Sequence, residues 1–106
     1  MIFRRSGRFD DLVRTQLDLF AEAEADLLAD AESADDAWTR AGRDGAEELY
    51  GDYQLVVDEI ADRLLDMRET YAATLDEGAV DEYRATFNRA VRKRFRGRAG
   101  ALLEES

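Results

Sequence analysis

Two sets of side chains in this chain have the types and spacing of working chemistry. Glu48, Asp52, Asp58, Glu59, Asp62, Asp66 and Glu69 recur along one stretch, with Asp62 and Asp66 one helical turn apart. A row of carboxylate oxygens suits a hard cation. Arg89, Arg92, Lys93 and Arg96 recur about one helical turn apart, with Arg92 and Lys93 adjacent, a spacing that gathers them on one helical face. Such a face can grip the phosphates of a polyanion, lie on an anionic surface, or neutralise an acidic neighbour.

The absences narrow this chemistry. The chain has no Cys and no His, which removes thiolate nucleophiles, disulfides, imidazole bases and imidazole metal ligands. A di-iron bundle site built with Glu-x-x-His pairs is excluded for the same reason. The acidic row therefore reads as a solvated face, and neither metal nor organic cofactor is expected. No glycine-rich phosphate loop or Gly-x-Ser-x-Gly elbow occurs. Tyr50, Tyr53, Tyr71 and Tyr83 fall on apolar stripes, where core or interface roles are expected. The chain is similar to the small all-helical chorismate mutases in length and helix content alone. Lys93 is its sole lysine and Gln16 and Gln54 its only glutamines, so that family's arginine-led pattern maps onto no segment.

Charge is sorted along the chain. Residues 15–83 carry 21 acidic and 4 basic side chains, whereas residues 84–98 carry seven basic and no acidic ones. The net charge of −10 opposes general binding to a phosphate backbone, and only the 84–98 stretch could override it locally. With 106 residues and 45% hydrophobic content, one domain with one core over 1–106 is expected. No apolar run is long enough to span a membrane, and the basic Met1-Ile2-Phe3-Arg4-Arg5 start leads into polar sequence. A cytoplasmic location is expected.

These side chains must be positioned by helices. The chain has no proline, so its seven glycines supply the punctuation. Phe9, Val13, Leu17, Phe20, Leu27, Ala31, Ala34 and Trp38 share one face of a helix expected over about 8–41. Leu49, Tyr50, Tyr53, Val57, Ile60, Leu64, Met67 and Tyr71 form the stripe of a second helix, about 45–76, with Asp44 and Glu47 resembling a capping box. Val80, Tyr83, Phe87, Val91 and Phe95 line a third, about 79–97, closed by Gly97. The expected fold is all-α: a long antiparallel helical hairpin plus a shorter third helix, a three-helix bundle with coiled-coil-like packing.

A third helix of that length covers only the hairpin end holding Leu17, Phe20, Ile60, Leu64, Met67 and Tyr71. The uncovered tip, with Trp38, Leu49, Tyr50 and Tyr53, is the expected interface of a homodimer. Glu24 lies within the first apolar stripe and needs a cation, which Arg63 or Arg68 can supply as a register-setting ion pair. Arg84, Arg94 and Arg98 flank the basic helix and are expected to reach Asp58, Asp62 or Asp66. The functional expectation is a non-catalytic helical interaction or structural protein that associates with itself, and with another protein as a further partner. The alternative is polyanion or nucleic-acid binding through Arg89, Arg92, Lys93 and Arg96. A carboxylate metal-binding or anion-binding helical enzyme comes third.

Overall fold

A computed structural model describes residues 7–95. They form four helices and, among the described residues, no strand: α1 (Asp10–Ala23), α2 (Ala25–Arg40), α3 (Arg43–Ala72) and α4 (Glu77–Arg94). The expected three-helix arrangement is corrected to four, because the first rod is parted at Glu24. That residue leaves helical geometry, with φ −108° and ψ 28°. Its N–H still donates to the Phe20 carbonyl at 2.8 Å, and its own carbonyl accepts from the Leu28 N–H at 3.0 Å. The break thus costs few hydrogen bonds. Its physical cause is that the two halves of the rod pack on different neighbours: α1 lies against α4, and α2 lies along α3.

The core combines Phe9, Val13, Leu17 and Phe20 from the α1 segment with Val57, Ile60 and Leu64 from α3 and Ala79, Tyr83, Phe87 and Val91 from α4. These residues are the apolar stripes closing on one another, with Ala79 rather than Val80 in the innermost position. Rings mark the relative direction of α1 and α4. Phe9 meets Tyr83 edge-on at 5.5 Å, and eleven residues later Phe20 meets Phe95 at 5.9 Å, so the two helices run parallel.

The rest of the chain is an arm made of α2 and the first half of α3. Glu24 pairs with Arg63 at its base, and Trp38 meets Tyr50 at its tip, so these helices are antiparallel. The arm explains an elongated outline of 52 × 35 × 23 Å and a radius of gyration of 16.0 Å, against about 13 Å for a compact chain of this length. At the tip, α3 takes its N-cap from Gly42, so Asp44 lies within the helix and not at the capping position expected of it. Gly45, in the first turn of α3, has φ +87°, a value that glycine adopts without strain. Helix α4 has Glu77 in its first turn and Arg92, Lys93 and Arg94 in its last, both favourable to the helix dipole. The expected Gly97 stop lies outside the described residues.

Candidate functional site

Parallel packing of α1 and α4 leaves an open groove of about 880 Å³ along their shared outer side. Its floor is apolar, formed by Val13 and Leu17 with Ala90. Its rims are mostly cationic: Arg14 on α1, beside Asp10 and paired with Asp11 at 3.3 Å, stands with Arg89, Arg92, Lys93 and Arg94 on α4. Arg89, Arg92 and Lys93 are exposed, and Arg89 makes a long contact of 3.4 Å to the Thr86 hydroxyl. Arg96, expected in the same cluster, lies outside the described residues. Sequence reasoning missed Arg14. It sits outside the basic stretch, and only the parallel alignment of two helices more than seventy positions apart in the chain brings it to this rim.

At the arm tip, Trp38, Tyr50 and Tyr53 form a three-ring cluster. Trp38 stacks on Tyr53 with centroids 6.2 Å apart and planes 7° from parallel, and it meets Tyr50 at 5.1 Å. These rings and Leu49 are half-buried. The rings cover one another without closing a core, and α2 contains no buried residue at all. Leu55, also on the arm and 70% exposed, was not singled out by its spacing.

The two cations considered for Glu24 part company. Arg63 donates from Nη1 to Glu24 at 2.6 Å and from Nε to Glu59 at 2.7 Å. The Glu59 hydrogen bond and then the Glu24 charge push its pKa above the ordinary value. With both partners partly exposed to solvent, this pairing contributes little to stability. Arg68 is only 6% exposed and turns away from Glu24 toward α4. Its Nε donates to Glu69 at 2.8 Å and its Nη1 to the Asn88 side-chain oxygen at 2.9 Å.

Arg84 completes this network, donating from Nε and Nη2 to the two Glu69 oxygens at 2.9 and 2.5 Å. Arg94 donates to Asp18 at 2.6 Å. Neither reaches the expected Asp58, Asp62 or Asp66. The four-residue link from Ala73 to Asp76 starts α4 opposite the last turns of α3, so Arg84 faces Glu69. The far end of α4 then lies beside α1, where Asp18 stands. Asp58, Asp62 and Asp66 are exposed, and among the described residues no three carboxylates gather closely enough to hold a metal ion.

Two titrating groups in the body couple its stability to pH. The Arg84 hydrogen bonds hold the Glu69 carboxyl below its ordinary 4.5, against the opposing effect of burial. Burial pushes the Tyr83 phenol above its ordinary 10.0, with its hydrogen bond to Gln16 opposing. That hydroxyl donates to the Gln16 oxygen at 2.9 Å. A lowered carboxyl stabilises the fold above its unfolded pKa, and this is lost as pH falls through the folded value. A raised phenol is the mirror case: its contribution holds below 10.0 and is lost as pH rises through the folded value. Thermal melts should therefore be flat between about pH 6 and 9 and fall on both sides. Glu69→Gln should flatten the acid limb and Tyr83→Phe the alkaline one; unchanged limbs in these variants would exclude both assignments.

No described helix is long and apolar enough to cross a membrane. Comparisons of the chain with protein-family models, with curated proteins and with solved structures find no match.

Proposed function

We propose that this chain is a non-catalytic helical interaction protein that associates with itself through its α2–α3 arm. One observation carries the reading: α2 presents Leu27, Leu28, Ala31, Ala34 and Trp38 on one face, and although this face packs along α3, every one of them stays partly exposed within a single copy. Two antiparallel helices form a single layer, and a layer with an apolar stripe needs a second one to complete a core. A second arm supplies it, giving a four-helix arrangement with Trp38, Tyr50 and Tyr53 near its ends. Aromatic rings of this kind are enriched at protein interfaces over the rest of the surface.

Sedimentation equilibrium tests the proposal. The wild-type chain should be a dimer at ~10 µM, and Trp38→Ala should raise the dissociation constant at least tenfold, ~1.4 kcal/mol. A wild type that stays monomeric at ~100 µM would refute self-association. A second reading, polyanion binding through Arg89, Arg92 and Lys93, is favoured by the groove rims. It is opposed by the net charge of −10 and by the absence, among the described residues, of an aromatic ring from the groove lining on which a base could stack.

A further inference from the structure

We infer that the basic groove between α1 and α4 receives the acidic arm tip of a second copy of this chain, each copy doing this to the other. The inference rests on the self-association proposed above and specifies how the arms lie. Charge complementarity comes first. The arm helix α2 carries Asp26, Asp30, Glu32, Asp35 and Asp36, all exposed, against the single cation Arg40. The opposite charge is concentrated on the groove rims, where Arg14, Arg89 and Lys93 stand. One chain therefore holds both halves of a complementary pair.

Geometry decides whether the two halves can meet. Because α1 and α4 are parallel, and α1 passes directly into α2 at Glu24, the basic end of α4 lies at the base of the arm. Arm base and arm tip are separated by the 16 residues of α2, about 24 Å. When two arms pack antiparallel about a two-fold axis, each tip comes to the other's base and so to the other's Lys93. Parallel arms would instead set two acidic tips side by side, a like-charge arrangement that is disfavoured. Charge thus selects the antiparallel register.

The side chains of the two patches also suit one another. The groove is lined on α4 from Thr86 to Arg94, about two helical turns. On the exposed side of α2, Ser33 and Ala37 are small residues flanked by Glu32 and Asp36. A helix with such a face can approach an apolar floor while its acids reach cationic rims. Because the docking is reciprocal about one two-fold axis, both patches of each copy are used within the pair, and the contact closes as a dimer.

A charge exchange tests this. Arg89→Glu with Lys93→Glu makes the groove acidic, and Glu32→Lys with Asp36→Lys makes the arm basic; all four sites are exposed, and circular dichroism confirms the fold. Each variant alone should dissociate at least tenfold more readily than wild type, and an equimolar mixture should recover dimers within about threefold of the wild-type constant. The milder pair Arg89→Gln and Lys93→Gln should reduce the salt sensitivity of the dimer. If both charge-reversed variants dimerise as wild type does, arm-into-groove docking is wrong while self-association stands. A monomeric wild type removes self-association itself and this inference with it. Loss of binding to a short duplex DNA by the acidic-groove variant, with its dimer unchanged, would assign the groove to a polyanion and overturn the inference.

Discussion

Phe87→Ala is expected to cost about 3–5 kcal/mol of folding stability, the range for removing a large aromatic side chain from a packed core. Phe87 is 0% exposed and lies 6.0 Å, ring to ring, from Tyr83, itself fully buried. Its neighbours along the same face of α4, Tyr83 and Val91, are equally buried, so the body has no exposed surface into which the cavity could collapse. A chain of 106 residues has a total stability of about 5–15 kcal/mol, so one such change consumes a large share of it. The midpoint of thermal unfolding should fall by at least ~15 °C. Leu55→Ala on the 70% exposed site should stay within about 0.5 kcal/mol of wild type. Denaturant unfolding followed by circular dichroism measures both, and a loss below about 1 kcal/mol at Phe87 would mean that α4 does not close the core.

The second large effect lies in the polar network between α3 and α4. Glu69→Ala removes the carboxylate shared by Arg68 and Arg84, leaving the nearly buried Arg68 with Asn88 as its remaining partner shown in the network. An uncompensated buried charge costs about 3–5 kcal/mol. Glu69 is itself 39% exposed, so water can replace part of its role and the expected loss is about 2 kcal/mol. Arg68→Met has the opposite logic. It removes the charge and keeps an apolar stem of similar length, and replacing a buried ion pair by an apolar group is often neutral or stabilising. Arg68→Met should therefore change stability by less than about 1 kcal/mol, and Arg68→Met combined with Glu69→Ala should lose less than Glu69→Ala alone. Equal losses in the single and the double variant would mean that Arg68 is not the group left exposed to the penalty.

The network also shows how far a one-dimensional reading reaches. Arg68 and Arg63 were equivalent candidates for Glu24 because both lie near one edge of the α3 stripe. They are five residues apart, however, and a helix turns about 100° per residue. Arg63 consequently ends beside the arm base, and Arg68 beneath α4, facing Asn88. Periodicity specifies the face a residue occupies, but not which helix will cover that face. The aromatic tip was legible for the converse reason: Trp38 comes shortly before the turn at Gly42 and Tyr50 and Tyr53 come soon after it, and a short turn brings residues on its two sides together.

By itself the amino-acid order determined the helical class, the apolar faces and the segregation of acid from base. All three depend on interactions between residues within a few positions of one another, which the sequence displays directly. Only the tertiary structure decided the break at Glu24, the inward turn of Arg68, and the union of Arg14 with the α4 cations in one groove. Each depends on which distant surface a helix packs against, and that choice minimises exposed apolar area over the whole molecule, not within any one segment.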